Sequence, residues 1–282
     1  MRSIRKAEIR ALLPRRAAGV HKGDAGHLLI VAGSPGKGGA AVLAARGALR
    51  GGAGLVTVAT PAAIQPQLAQ ALPEAMTITL PMPSDAARQE LVGGRKAFVI
   101  GPGLGQGKEA GGLLRWLLRC AALPAVLDAD ALNLLAPIRN RLRRSGPEPV
   151  LTPHPGEMAR LLDCSVATVQ ADRVAAAQGL AETSHAVVVL KGAGTLVAAP
   201  DGRIVRNPTG GPLLATGGTG DVLAGLLGAL LAQGLAPFDA ARYAVWLHGA
   251  AGDRLARRYG DAGLLASELA DELPLTRHAL HA

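Results

Sequence analysis

In Thr216-Gly217-Gly218-Thr219-Gly220-Asp221, three glycines and one carboxylate stand directly before an apolar run over residues 222–231. The pattern reads as a glycine-rich turn opening into a buried helix. The first turn of a helix has unpaired amides and the positive end of the helix dipole. Glycines let that backbone close on an anion, and phosphate is the usual guest. A carboxylate at the junction either caps the helix or takes a proton from a hydroxyl lying beside the bound phosphate. The first role is structural; the second belongs to an enzyme of phosphoryl transfer.

Further candidates have the same texture. Gly33-Ser34-Pro35-Gly36-Lys37-Gly38-Gly39-Ala40 resembles a phosphate loop but misses the Walker spacing, because Lys37 is followed by Gly38 and Val31 stands where the first glycine belongs. Gly101-Pro102-Gly103-Leu104-Gly105 misses the dinucleotide fingerprint, because Gln106 replaces its third glycine. For each loop alone, an ordinary strand-to-helix turn is as good a reading as a ligand site. Asp128 and Asp130 close an apolar strand in Leu127-Asp128-Ala129-Asp130-Ala131-Leu132-Asn133. Carboxylates there can hold Mg²⁺ through water or contact a hydroxyl. Asp130 is read first as the N-cap of a helix beginning at Ala131, while Asp128 and Asn133 suit a functional and a structural role equally.

In Thr152-Pro153-His154-Pro155-Gly156-Glu157, two prolines stiffen the chain around one histidine, which presents it as a ligand contact with little loop entropy. Glu157 falls in the first turn of the next helix. It either complements the dipole or positions Mg²⁺ or water near a phosphate. Lys191-Gly192-Ala193-Gly194-Thr195 carries a lysine out of an apolar strand into glycines, in reach of phosphate or ribose oxygens or simply at the surface. His248 and Asp253, in a small-residue helix, read as packing and hydrogen bonding rather than catalysis.

These residues need a scaffold that gathers them. Candidate strands lie at 27–32, 55–59, 75–80, 97–100, 125–127, 150–152 and 186–190, with helical patterns between them at 40–50, 62–71, 84–92, 109–120, 156–162 and 166–182. Apolar strands separated by helices predict an α/β fold with a mostly parallel sheet covered on both faces. After Lys191, runs at 195–199 and 204–206 flank Pro200-Asp201-Gly202, a hairpin signal, and helical patterns follow at 221–233, 239–259 and 265–273. No linker or internal repeat interrupts the chain, so a single domain over residues 1–282 is expected. The glycine turns then line the carboxyl ends of the strands, where ligands bind in such sheets.

Composition agrees. The 282 residues are 49% hydrophobic and 18% charged, which excludes disorder, and only 2% aromatic, so small aliphatic residues must fill the core. The net charge of +9, carried mostly by arginines, favours anionic ligands. Its clusters at Arg15-Arg16, Arg141–Arg144 and Arg257-Arg258 are short and read as solvated faces, not a nucleic-acid surface. Cys120 and Cys164 have no metal spacing and are expected as core thiols in a reducing compartment. With no signal-peptide pattern and no convincing membrane span, a cytoplasmic location is expected.

Together these motifs resemble the ribokinase-like superfamily, which bears G-x-G-D before a helix, and within it the ADP/ATP-dependent NAD(P)H-hydrate dehydratases. The resemblance runs over residues 21–274. It is carried by Gly26-His27-Leu28-Leu29-Ile30-Val31-Ala32-Gly33-Ser34 and by the glycine, Asp128, His154, Lys191 and Asp221 motifs above. Two departures stand out. Gly210-Gly211-Pro212-Leu213-Leu214-Ala215 replaces a Gly-Asn-Pro-Gly-Met-Ala pattern beside the proposed site, and Ala266-Ser267-Glu268 replaces Ala-Ser-Asp in a place expected to be structural.

The resemblance implies a ribokinase-like fold and repair of the S epimer of NADH or NADPH hydrate, whose C6 hydroxyl is phosphorylated and then lost as phosphate. It implies Asp221 as the base, with the amides of Gly218, Thr219 and Gly220 on the transferring phosphoryl group. Ala40, Gly103, His154 and Asp221 would contact the hydrate. Lys191, Gly192, Ala193, Gly194, Thr195 and Gly220 would hold the adenine nucleotide. Mg²⁺ would bridge the nucleotide phosphates, with Glu157 helping from outside its direct ligands. ADP is the expected donor over ATP, since the chain looks free-standing. A homo-oligomer, specifically a homotetramer, and a functional pairing with an NAD(P)H-hydrate epimerase complete the expectation, with no membrane or specific nucleic-acid partner. The alternatives are a vitamin-precursor or sugar kinase of the same superfamily and a non-catalytic nucleotide-binding regulator.

Overall fold

Successive residues of the predicted strands are apolar on both faces, and the protein buries both. A computed structural model describes residues 1–12, 16, 19–80 and 84–282. In chain order the elements are β1 (Arg2–Ser3), α1 (Lys6–Leu12), β2 (His27–Val31), α2 (Gly38–Arg50), β3 (Leu55–Pro61), α3 (Gln65–Ala71), β4 (Met76–Leu80) and α4 (Asp85–Val92). Then come β5 (Ala97–Ile100), α5 (Lys108–Cys120), β6 (Ala125–Leu127), α6 (Asp130–Leu135), β7 (Val150–Leu151), α7 (Pro155–Leu162), α8 (Val166–Ala171) and α9 (Arg173–Ser184). The last are β8 (Val187–Leu190), β9 (Leu196–Ala198), β10 (Ile204–Arg206), α10 (Thr219–Ala232), α11 (Pro237–Tyr259) and α12 (Ala266–His281).

The strands form one ten-stranded sheet in the order β1-β10-β9-β8-β7-β6-β5-β2-β3-β4. Pairing is parallel from β4 across to β8, and antiparallel only where the hairpin β9–β10 joins. Side chains alternate between two cores, as the two-residue period of a strand requires. Leu28, Ile30 and Val99 pack with α2, α10, α11 and α12. Leu29, Val31, Phe98 and Ile100 pack with α5, α7 and α9. Strand order reverses between β2 and β5, which opens a crevice at their carboxyl ends.

Helix α10 is the buried helix expected after the glycine turn, and it lies unusually close to α2. A Cβ on Gly225 would sit 1.8 Å from the Ala44 carbonyl oxygen, and one on Gly47 would sit 2.4 Å from that of Val222. Only glycine permits this approach, which locks the turn before α10 to the start of α2.

Several expectations are corrected. Short β1 and α1 were not foreseen. The helix expected over 166–182 breaks at Asp172, which leaves helical geometry and caps α9 by accepting from Ala175 N at 2.9 Å. The last helix, expected to stop before Pro274, continues to His281, because Leu273, Thr276 and Leu280 are buried on its inner face. Cys120 is exposed at the end of α5, and Cys164, in the turn between α7 and α8, is half-buried at the margin of the core, so neither is a fully buried core thiol. Arg144 is not a solvated residue: it donates to Leu123 O, and burial lowers its pKa to about 10. Arg257 and Arg258 are exposed, as is Arg16, while Arg15 lies outside the described residues. Among the described residues no helix is long and apolar enough to cross a membrane.

Candidate active site

The first turn of α10 begins at Gly218, whose φ of +89° makes the sharp entry. The Thr219 hydroxyl donates to Thr216 O at 2.9 Å and Leu214 O at 3.1 Å, which closes the turn on itself. The Thr219 amide reaches Thr216 O at 3.4 Å and the Val222 amide bonds Gly218 O at 3.1 Å. The amides of Gly220 and Asp221, between them, have no carbonyl one turn back within the helix. From α11, His248 donates Nε2–H to Thr219 O at 2.9 Å; burial pushes its pKa down to about 4, so the ring is neutral at pH 7. His248 and Asp253, which accepts from the Gly210 amide at 3.0 Å, thus do the packing and hydrogen bonding expected of them.

Asp221 follows within the same turn. Burial raises its pKa to about 7; the charges of Asp128 and Glu157 push the same way and Lys191 pulls against them. Lys191 leaves the carboxyl end of β8, and its Nζ lies 2.9 Å from Asp128 Oδ1 and 3.7 Å from Glu157 Oε2. Burial works against the ammonium, but the carboxylates of Asp128, Glu157 and Asp221 outweigh it and hold its pKa above the ordinary range. A Cβ on Gly220 would lie 3.5 Å from this ammonium, so α10 and β8 meet here. Thr152 from the end of β7 donates to Asp128 Oδ1 at 2.7 Å. One cation therefore sits among three carboxylates, and Asp221 is the member whose proton affinity is raised into the neutral range.

His154 caps α7. Its Nδ1 accepts from the amides of Gly156 at 3.0 Å and Glu157 at 3.3 Å, while Glu157 Oε2 accepts from His154 N at 2.8 Å. The proline frame thus fixes the ring through a reciprocal cap; the side chain is half exposed, with Nε2 3.4 Å from Glu157 Oε1. Glu157 is the first-turn carboxylate expected of α7, and it is also a neighbour of Lys191, which the sequence did not suggest.

The loop after Lys191 leaves the cluster. Gly192 and Ala193 are exposed, and Thr195 Oγ1 donates to Gly192 O at 3.0 Å. Arg173 donates to the carbonyls of Leu190 and Lys191 at 3.2 Å, and the Arg206 guanidinium lies against Gly194. Neither arginine stood out in the sequence, since each joins the loop only through tertiary contact.

Ala40 and Gly103 meet at the crevice between β2 and β5. Gly103 has φ +58°, and a Cβ there would lie 2.7 Å from Lys37 O and 3.0 Å from the Ala40 Cβ. Leu43, one turn along α2 from Ala40, reaches Gly218. Asp130 is not the cap it was expected to be: Ala129, at φ 48° and ψ −116°, occupies that position. The Asp130 carboxylate instead accepts from Gly105 N at 2.8 Å, Gln106 Nε2 at 3.1 Å and Lys37 Nζ at 3.3 Å. Burial works to raise its pKa, and these partners overcome that and lower it. Asn133 accepts from Arg160 at 2.8 Å, a link between α6 and α7.

Of the two departures from the family pattern, Pro212–Leu214 forms a short 3₁₀ turn whose Leu213 is buried, so it supports the turn before α10. Glu268 accepts from Leu265 N at 2.9 Å and from the Tyr259 hydroxyl, a structural role at the start of α12. Among the described residues no group of three His, Cys, Asp or Glu side chains is arranged to hold a metal ion.

The family model described as NAD(P)H-hydrate dehydratase matches residues 28–275. A bifunctional NAD(P)H-hydrate repair enzyme from Moorella thermoacetica is 46% identical over 97% of this chain and 53% of its own. The chain thus spans about half the length of such bifunctional relatives. An ADP-dependent (S)-NAD(P)H-hydrate dehydratase from Neisseria meningitidis is 47% identical over 90% of this chain and 86% of its own. The crystal structure of the ADP/ATP-dependent NAD(P)H-hydrate dehydratase from Bacillus subtilis, co-crystallised with ATP and Mg²⁺, is 36% identical with a TM-score of 0.88, covering 99% of this chain and 98% of that one. A ribokinase-like superfamily protein from Enterococcus faecalis is 28% identical with a TM-score of 0.87, covering 99% and 96%.

Proposed function

Because the chain belongs to the NAD(P)H-hydrate dehydratase family, we propose that it is an ADP-dependent (6S)-NAD(P)H-hydrate dehydratase, giving NAD(P)H, AMP and phosphate. The observation that carries the reading is Asp221: a carboxylate with a pKa near 7, beside the free amides of a helix start and an ammonium. A base of that proton affinity is matched to a neutral hydroxyl.

In this reading the C6 hydroxyl of the hydrate gives its proton to Asp221 as its oxygen attacks the β-phosphorus of ADP. The bond from that phosphorus to the AMP oxygen breaks, and AMP leaves. The amides of Gly218, Thr219 and Gly220, with Gly220 most open, stabilise the equatorial oxygens of the transferring group. The C6–O bond then breaks with loss of phosphate, C5 loses a proton, and the ring double bond returns. Hydroxide leaves poorly and phosphate leaves well, which is why phosphoryl transfer precedes elimination.

Ala40, Gly103 and the exposed edge of His154 contact the hydrate, and Lys191, Gly192, Ala193, Gly194, Thr195 and Gly220 hold the nucleotide. Lys191 also anchors the carboxylate cluster. Mg²⁺, when bound, neutralises the nucleotide phosphates. Glu157, whose carboxylate lies 3.7 Å from Lys191 Nζ, would help to hold the ion from outside its direct ligands.

Residues 1–282 form one domain in this reading, supported by the single continuous sheet. The R epimer of the hydrate needs inversion first, so the protein pairs functionally with an epimerase. A cytoplasmic homotetramer is the proposed setting, and light scattering checks the assembly. The functional test supplies purified protein with chemically prepared NADPH hydrate and either ADP or ATP. Recovery of the dihydronicotinamide absorbance, faster with ADP, is expected; no recovery with either donor contradicts the reading.

A further inference from the structure

The carboxylate of Asp130 is buried, yet it serves no bond within its own helix. A buried carboxylate is costly unless it is paired and hydrogen-bonded. All three of its donors come from other segments: Gly105 N and Gln106 Nε2 from the turn after β5, and Lys37 Nζ from the turn after β2. The left-handed backbone of Ala129 divides the two neighbouring carboxylates. It sends Asp128 to Thr152 and Lys191, and Asp130 to the crevice between β2 and β5.

The same two turns are joined twice more. Ser34 Oγ donates to Gly103 O at 2.7 Å, and Gly33 N donates to Pro102 O at 2.9 Å. Between these ties sits Gly103, held against Ala40 with no room for a side chain. We propose that Asp130 is a positioning residue for the hydrate: it clamps the turn after β5 onto the turn after β2 and so fixes the wall that Gly103 and Ala40 present to the substrate. This rests on the dehydratase reading, in which that wall faces the hydrate and not the nucleotide. The two carboxylates at the end of β6 then divide the work, Asp128 organising the phosphoryl side through Lys191 and Asp130 the substrate side.

The test compares Asp130→Ala and Asp130→Asn with wild type, measuring KM for NADPH hydrate, KM for ADP and kcat. Displacing the wall raises the hydrate KM about tenfold or more in Asp130→Ala, with the ADP KM within about twofold and kcat largely kept. Asn retains an acceptor for Gly105 N and restores part of the loss. Lys37→Ala, at a half-exposed side chain, raises the hydrate KM by a smaller factor and keeps the proposal testable if Asp130→Ala fails to fold. An unchanged hydrate KM in the folded variants overturns the proposal. So does a parallel rise in both KM values with a fall in kcat, the mark of general loosening. Wild-type protein that does not restore NADPH refutes the dehydratase reading instead, so the two failures are distinct.

Discussion

At the scale of residues, Asp221 sets the behaviour of the site. In its proposed role as base it acts when ionised, so kcat/KM is expected to rise with pH and level off above an apparent pKa of about 7. Lys191 is the charge that holds this value down, so Lys191→Met moves the rising limb to higher pH as well as slowing turnover; a limb that stays in place separates the two residues. The same shift affects stability. Unfolded Asp221 ionises near 3.8 and the folded residue near 7. Between those values the folded state holds the extra proton, so stability falls as pH rises, by about 1.4 kcal/mol per pH unit across the window. Asp221→Asn lacks that fall. It is inactive, and urea unfolding shows it gaining on wild type as pH is raised from about 4 to about 8; a constant difference contradicts this. Asp221 was legible in the sequence because its setting is local, a glycine turn before an apolar helix. Asp130 and the arginines beside Gly192 and Gly194 were not, because their partners arrive from distant loops.

At the scale of elements, the strands and most helices were legible because parallel strands buried on both faces leave continuous apolar runs, and the turns after them are written in glycine. What escaped was settled by tertiary contact. The sequence of α12 contains a proline that argues for an end, yet burial of Leu280 carries the helix on. Two glycine-related substitutions check the geometry around the site with opposite signs. Gly225→Ala drives a methyl group into the Ala44 carbonyl and forces α2 from α10. It is expected to cost about 1–3 kcal/mol or more in chemical unfolding, with loss of activity, since these helices carry Ala40 and Asp221. Ala129→Gly removes a side chain from a left-handed position. It is expected to hold or raise stability by up to about 1 kcal/mol. A destabilised Ala129→Gly would show that the backbone at Ala129 is not strained.

At the scale of the whole molecule, one sheet gathers the carboxyl ends of β2, β5, β6, β7 and β8 along one edge, and α10 brings its first turn to the same place. The net charge of +9 suits ligands that carry several phosphates, while the local cluster around Asp221 is acidic. In the proposed function the overall charge favours anions while one carboxylate stands ready for a proton. This division between global and local charge was half legible: the total is read from composition, whereas the gathering of Asp128, Glu157 and Asp221 around Lys191 exists only once β6, β7 and β8 are side by side. In the proposed function, the hydroxyl facing Asp221 is phosphorylated only so that it can leave. Phosphorus NMR of NADPH hydrate and ADP turned over by the protein distinguishes this from simple phosphorylation. One AMP and one free phosphate for each NADPH restored, with no lasting phosphate ester at C6 of the hydrate, is the expected result; a stable C6-phosphorylated product without NADPH recovery would make the protein a kinase and contradict this.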